Sequence, residues 1–281
     1  MLVVSAMVGG PHRTLIGAAL VLCVGCAASP TDRARSLVRQ HREDAAAAVL
    51  RDRIAAHPED IEARRLLVRV LGLTGDLPAA REQTRELTIR LPPGDPTPYV
   101  EIGHALELAH RYEDALAAYD EAASVAPTSP LGPREGGMRC ARWGEADDAR
   151  PRLEEAIRRG ARDAETWHAL GLVRLNLGDL PGADDAYRSG VAADPRGAEN
   201  WLGLASVAVV RGDAQGALDA YDQVLARRPR FGPGELGRAW ALIRLGRPGD
   251  AARALDRAEE LGAPAQAVVR QRAALHVGVP R

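Results

Sequence analysis

Apolar and polar residues follow one another along this chain with the spacing of short amphipathic helices, and the pattern repeats at a constant interval. Trp167 and Tyr187 recur as Trp201 and Tyr221, 34 residues further on. Each copy holds two apolar-periodic segments separated by a Gly-Asp pair, such as Gly178-Asp179. Such spacing predicts two helices and a tight turn in each copy, and a fixed period of this length is typical of stacked-repeat proteins.

Small residues mark the same period over most of the chain. Seven alanines form this series: Ala46, Ala80, Ala115, Ala149, Ala183, Ala217 and Ala251. Successive alanines are 34 residues apart, except that the second and third are 35 apart. A small side chain is needed where the two helices of a hairpin cross closely. The extra residue falls in the proline-rich stretch 92–98, where a loop tolerates an insertion.

Turn signals accompany the alanines. Five residues before each alanine stands a glycine or, in two copies, a histidine: Gly75, Gly144, Gly178, Gly212 and Gly246, with His41 and His110. Glycine ends a helix well because it tolerates a left-handed backbone. Asp76, Asp179 and Asp213 then follow as predicted N-caps of the second helices.

The repeated residues closely resemble the tetratricopeptide repeat (TPR), whose motif has an aromatic residue, a Leu-Gly pair, a turn glycine, a close-packing alanine, a second aromatic residue and a closing proline. We therefore predict an all-α, right-handed α-solenoid of about seven TPR helical hairpins plus a C-terminal capping helix. The array spans residues 32–263, and the cap with its tail spans residues 264–281. The predicted repeats are about 27–60, 61–95, 96–129, 130–163, 164–197, 198–231 and 232–263.

The middle repeat departs from the pattern. Its first helix, residues 130–143, contains two prolines and three glycines, so a short or frayed helix is expected. Pro151 lies within the following helix and should kink it. Residues 130–151 are interpreted either as a bend between two halves of the array or as a drifted repeat that stacks normally.

The N-terminus has the features of an export signal. Residues 1–25 carry Arg13 and an apolar run over residues 15–25, which is too short to span a bilayer and suits a signal peptide that starts at Met1 or Met7. The run ends before Cys26, as in a bacterial lipoprotein processing site, although Cys23 stands where that family usually has Leu. The resemblance implies an acylated Cys26, a tether over residues 26–31 and sorting to the periplasmic face of the outer membrane. Plain secretion to the periplasm and an uncleaved anchor are the alternatives.

Composition limits the possible chemistry. The formal net charge is -1, so bulk electrostatics predict no nucleic-acid partner. All 37 basic residues are Arg, which excludes chemistry that needs a lysine, such as a Schiff base. The sequence has no H-E-x-x-H, G-x-S-x-G or G-x-G-x-x-G motif. We therefore predict a protein without catalytic residues, metal or cofactor.

In TPR proteins the first helices line a concave groove that holds peptides or partner helices. Helical spacing assigns fourteen residues to a partner-binding groove: Val100, His104, Glu107, Leu108, His168, Leu172, Leu175, Asn176, Leu202, Ser206, Val209, Leu236, Trp240 and Ile243. Asn176 could anchor an extended chain, and Trp240 has the size of an energetic anchor. The alternative is that these residues contact only the next repeat and the terminal helix.

The predicted function is a non-catalytic protein–protein interaction scaffold, lipid-anchored in the bacterial cell envelope and touching the membrane through its N-terminal lipid only. Its expected partner is an envelope protein or peptide held in the groove. Lipid-anchored TPR proteins that resemble it suggest two alternatives: a pilotin-like assembly factor for an outer-membrane secretin or type IV pilus, and a non-catalytic subunit or adaptor of a cell-wall enzyme. An envelope enzyme and a self-binding dimer are further alternatives.

Overall fold

The computed structural model describes residues 28–277, and within this range every regular element is a helix. The predicted signal peptide and Cys26 lie outside the described residues. The fifteen helices are α1 (Pro30–Arg39), α2 (Glu43–Ala56), α3 (Ile61–Thr74), α4 (Leu77–Arg90), α5 (Thr97–Leu108), α6 (Tyr112–Val125), α7 (Leu131–Trp143), α8 (Ala146–Arg158), α9 (Ala164–Asn176), α10 (Leu180–Ala193), α11 (Glu199–Arg211), α12 (Ala214–Arg227), α13 (Gly232–Arg244), α14 (Pro248–Glu260) and α15 (Ala265–Val277).

Consecutive helices pack in pairs to form seven hairpins, α1–α2 to α13–α14, and α15 packs on the last of them. We call the odd-numbered helices α1 to α13 the first helices and their partners the second helices. The predicted all-α fold of about seven hairpins and a terminal helix is confirmed.

The turns within hairpins have the backbone that the sequence predicts. Gly75, Gly144 and Gly212 are left-handed C-caps, with φ of 76°, 87° and 73°. His41 and His110 adopt the same conformation, with φ of 55° and 58°. The aspartate caps are confirmed as well, since the Asp76, Asp179 and Asp213 side chains accept hydrogen bonds from the backbone three residues later. Helix boundaries in this array are thus set by local chemistry.

Very small residues lie where the two helices of each hairpin pack together. All seven periodic alanines, from Ala46 to Ala251, are fully buried. Within hairpins, a glycine of the first helix lies against an aromatic ring of the second helix: a Cβ on Gly171 would be 2.7 Å from the Tyr187 ring, and one on Gly103 would be 2.4 Å from the Tyr119 ring. The core is therefore a thin layer in which helices approach closely around a few large side chains.

The middle hairpin corrects one expectation. Helix α7 has 13 residues, as many as α9, so the prediction of a short helix is wrong. Its glycines permit close contacts, because a Cβ on Gly132 would be 2.4 Å from the backbone nitrogen of Ala123 and one on Gly137 would be 2.8 Å from Leu153. Packing of this kind offsets the low helix propensity of glycine. The bend over residues 130–151 stays a prediction.

Packing between hairpins changes at one junction. At the others the first helix packs mainly on the preceding second helix, but α5 packs mainly on α3 and only lightly on α4. Gly72 and Ala105 bring α3 and α5 together, since a Cβ on Gly72 would be 2.4 Å from that of Ala105. The longer loop at residues 91–96 precedes this junction, and a cleft of about 320 Å³ separates α4 from α5 and α6.

Candidate functional site: the inner face of the first helices

The predicted groove residues occupy α5, α9, α11 and α13, on the side we call the inner face. Leu108 and Leu172 are exposed, at 64% and 38%. Asn176 is exposed, and ten residues are half-buried: His104, Glu107, His168, Leu175, Leu202, Ser206, Val209, Leu236, Trp240 and Ile243. Val100 differs from the prediction, because it is buried in the core of the first three hairpins and offers no surface to a ligand.

An apolar strip runs over α9, α11 and α13. Its members are Leu172, Leu175, Leu202, Val209, Val210, Leu236, Trp240 and Ile243, and Val210 is 61% exposed. Leu175 packs against the cluster that contains Leu204 of α11, and Val209 packs with Trp240 against the cluster of the last two hairpins. The Arg244 guanidinium lies 5.3 Å from the centre of the Trp240 ring. Part of the apolar strip therefore packs on the core, whereas Leu172 and Val210 remain exposed.

Charged residues of α5 and α7 form a compact network on the same face. His104 Nε2 lies 2.9 Å from Glu135 Oε2, and Arg139 donates to Glu107 at 2.7 Å. Arg134 donates to the second oxygen of Glu135 at 2.6 Å. His104 and Glu107, both predicted to be free for a partner, are thus tied to the next hairpin. A ligand at this end of the face would meet charges that already compensate one another.

Sequence reasoning missed Glu135 and Arg139, which complete this network. Glu135 is buried, with only 8% of its surface exposed. Burial opposes ionisation of its carboxyl, but the hydrogen bond from His104 and the charges of His104, Arg134 and Arg139 outweigh burial and lower its pKa. The available signal was the opposite charge of residues about one repeat apart, Glu107 and Arg139.

A second feature adjoins the apolar strip one helical turn from Leu172. It is a cleft of about 320 Å³ whose lining includes three carboxylates, Glu165, Asp194 and Glu199. We call these three residues the acidic notch. Glu165 contacts Arg134 at 2.8 Å, and Glu199 contacts Arg228. No arginine is among the residues that line the cleft itself.

The half-buried His168 and the buried Asn200 also line this cleft. Burial lowers the pKa of His168, so its ring is neutral at pH 7. The buried Asn200 donates its amide to the Ala164 carbonyl at 3.2 Å. Asp194 comes from the α10–α11 loop, so helical spacing on the first helices could not assign it to this site.

The described residues show no cluster of side chains that could bind a metal ion. Within residues 28–277 no group of three His, Cys, Asp or Glu side chains could hold a metal ion. Over the same range no helix combines the length and the apolar character needed to cross a membrane. Cys140 is buried, and burial raises the pKa of its thiol, which is the opposite of what a reactive cysteine requires. What the face offers a ligand is shape, apolar area and charge.

Comparison with known proteins identifies the repeat. The tetratricopeptide repeat family model matches residues 31–96, 142–198 and 168–235, which together exceed half of the chain. The heat-shock protein cognate co-chaperone sgt12 of Aspergillus fumigatus is 28% identical over 92 residues, covering 33% of this chain and 27% of that protein. The chain thus matches about a quarter of that relative's length.

Solved structures agree in fold. YrrB, described as a TPR protein with an unusual peptide-binding site, aligns with a TM-score of 0.58 at 18% identity, covering 64% of this chain and 93% of that one. The C-terminal part of a TPR repeat-containing protein from Cytophaga hutchinsonii aligns with a TM-score of 0.64 at 14% identity, covering 85% and 98%. Identities this low indicate a shared fold alone.

Proposed function

Because this chain belongs to the tetratricopeptide repeat family, we propose that it is a non-catalytic scaffold that holds a partner protein or peptide on its inner face. The observation that carries this proposal is the apolar strip on α9, α11 and α13, where Leu172 and Val210 are 38% and 61% exposed. Clustered exposed apolar side chains of this kind usually mark an interaction site. The charged network of α5 and α7 would border the partner rather than bind it.

We further propose that the scaffold is anchored by a lipid on Cys26 to the periplasmic face of a bacterial outer membrane, and that its partner is an envelope protein. The support is the apolar run over residues 15–25 followed by Cys26, together with Ala27 directly after it. The membrane would be contacted through this lipid only.

Site-specific photo-crosslinking in cells tests the binding face. A benzophenone amino acid placed at Leu172 should crosslink to the partner, because this side chain lies on the apolar strip. The matched control is Ile89 of α4, which is also exposed, at 73%, but lies outside the apolar strip. Identical crosslinked products from both positions would contradict the assignment of the inner face.

Fatty-acid labelling tests the anchor independently. Cys26→Ser should abolish incorporation of labelled palmitate and move the chain from the membrane fraction to the periplasmic fraction. Cys23→Ser is the matched control, since it removes a neighbouring thiol from the same apolar run and should leave labelling intact. A Cys26→Ser chain that is still labelled would exclude this site of acylation.

A further inference from the structure

The apolar strip offers very few hydrogen-bonding groups to a bound chain. Among the side chains of α9, α11 and α13, only Asn176 and Asn200 carry an amide. Asn200 is buried and donates to the Ala164 carbonyl. The Ser206 hydroxyl donates to the Leu202 carbonyl of its own helix at 3.0 Å. Asn176 is thus the one exposed amide on this part of the inner face.

Such a surface would leave much of the backbone of an extended peptide without hydrogen-bond partners. An extended segment that crosses α9, α11 and α13 lies over these apolar side chains. Its backbone carries one donor and one acceptor per residue, and groups buried against leucine and valine would lack partners. A helix satisfies these groups internally. The composition of the strip therefore favours a helical occupant.

Charge beside the strip adds a second constraint. The cleft that contains the acidic notch is also lined by His168, one turn before Leu172 on α9. The Glu165 and Glu199 side chains remain 65% and 53% exposed despite their contacts with arginines. Asp194 is also exposed. A side chain that enters the cleft from the strip meets carboxylates and a histidine held neutral by burial, so a basic group complements it.

From these observations we propose that the occupant of the inner face is an amphipathic helix, with an apolar stripe seated on the apolar strip and an arginine or lysine on one flank reaching the acidic notch. This inference rests on the proposed function and specifies the chemistry of its partner. It also replaces the extended chain that Asn176 was expected to anchor.

Three labelled peptides of about 18 residues, about 27 Å long as helices, serve as probes for the full chain. The first has leucines at helical spacing with arginines along one flank. The second has the same composition in strict apolar–polar alternation, and the third replaces the arginines by glutamates. By fluorescence anisotropy, the first should bind about tenfold or more tightly than either of the others.

Two protein variants locate the contacts. Leu172→Asp should weaken binding of the first peptide by about tenfold or more. Asp194→Asn combined with Glu199→Gln should weaken binding of the first, arginine-containing peptide. The same double variant should not change the affinity for a fourth peptide, in which glutamines replace the arginines. Glu82→Gln is the matched control, because Glu82 is an exposed carboxylate paired with Arg85 on α4 and lies away from the inner face.

Each failure has a separate meaning. If the alternating peptide binds as tightly as the helical one and both lose affinity in Leu172→Asp, the helical occupant is wrong while the binding face stands. If none of the peptides binds, or if the notch variant affects the arginine and glutamine peptides equally, the inference is overturned. Crosslinking from Leu172 would then still decide the proposed function on its own.

Discussion

Gly171 and Gly203 come from successive first helices, and both lie against the ring of Tyr187. A Cβ on Gly203 would be 2.3 Å from this ring, and one on Gly171 would be 2.7 Å away. Only 1% of the Tyr187 surface is exposed, and burial raises the pKa of its hydroxyl to about 12. The missing side chains thus allow the close approach of α9 and α10 within one hairpin and of α10 and α11 in neighbouring hairpins.

Replacing Gly171 by alanine should therefore destabilise the protein, although alanine is the better helix former. We expect a loss of about 1–3 kcal/mol in the free energy of unfolding, measured by urea denaturation, because the added methyl overpacks the core. The control is Gly249→Ala in the first turn of α14, where a Cβ would meet no atom within 4 Å. That exchange should increase stability by up to about 1 kcal/mol. Equal effects at the two sites would contradict the packing role of Gly171.

Asp163 connects a helix cap to a neighbouring hairpin. Its side chain accepts a hydrogen bond from the Thr166 backbone at the start of α9 and contacts Arg134 of α7 at 3.2 Å. Burial opposes ionisation, but the hydrogen bonds from Arg134 and Thr166 and the charge of Arg134 prevail and lower its pKa to about 2. A lowered pKa means that the ionised carboxylate stabilises the folded state.

Asp163→Asn should reveal this contribution through pH. Asparagine keeps the cap but loses the charge, so we expect the variant to be less stable by about 1 kcal/mol at pH 7, a modest value because the side chain is partly exposed. The carboxylate contribution is present above the usual pKa of 3.8 and is lost as the pH falls towards about 2. The stability curves of the two proteins should converge over that interval, whereas parallel curves would contradict the ionic role.

Two prolines show how position within a helix determines their effect. Pro151 lies in the interior of α8, where it cannot donate to the carbonyl four residues earlier. Pro181 is the second residue of α10, where no intrahelical acceptor is available to any residue. Both prolines are exposed, so changes in packing on replacement should be small.

Pro151→Ala should consequently stabilise the chain, by about 1–3 kcal/mol on restoration of the hydrogen bond and of helix propensity. Pro181→Ala should be neutral or slightly destabilising, because proline is favourable in a first turn. Thermal and urea unfolding of the two variants provide the measurement. A destabilised Pro151→Ala chain would mean that the proline shapes α8 in a way its neighbours require.

Helix packing at the α4–α5 junction differs from that at the other junctions, and the one-residue insertion lies beside it. The longer loop at residues 91–96 precedes a junction where the main contact of α5 is the preceding first helix, α3, instead of the preceding second helix. The core of the first three hairpins remains continuous through α3 and α5. The change of main contact thus coincides with the one departure from the 34-residue spacing of the alanines.

The molecule as a whole has several core clusters rather than one centre, as expected of a stack in which each hairpin contacts its neighbours. Its C-terminal end is closed by α15. Val268 of this helix is buried, with 2% exposed, whereas the adjacent Val269 is 65% exposed. Helix α15 thus covers the last hairpin with one side and faces solvent with the other.

Val268→Asp and Val269→Asp form a matched pair for testing this cap. A buried aspartate should detach α15 and speed hydrogen exchange in α13 and α14, because an unpaired charge in the core costs several kcal/mol, about 3 or more. Exchange in α5 and α6 should not change, since coupling in a repeat stack is to nearest neighbours. Val269→Asp should leave all exchange rates unchanged. Faster exchange throughout the array would instead indicate a single cooperative unit.

The helices and turns of the repeated unit could be predicted from the sequence because local interactions determine them. The period of the alanines, the turn glycines and the aspartate caps depend on residues within one hairpin, and their chemistry predicted the helices and turns described above. The same spacing placed Leu172, Val209 and Trp240 on one face of the first helices. The sequence alone thus determined the fold class, and the binding face that it indicates stays a prediction.

Contacts between hairpins were decided only by the tertiary structure. The burial of Val100, the intact α7 and the pairing of His104 with Glu135 all depend on atoms about one repeat away or on the adjoining helix. Asp194 joins the acidic notch because the α10–α11 loop carries it there. These outcomes follow from the angle and distance at which hairpins stack, and small residues and loop lengths determine that geometry jointly, so no single stretch of sequence contains it.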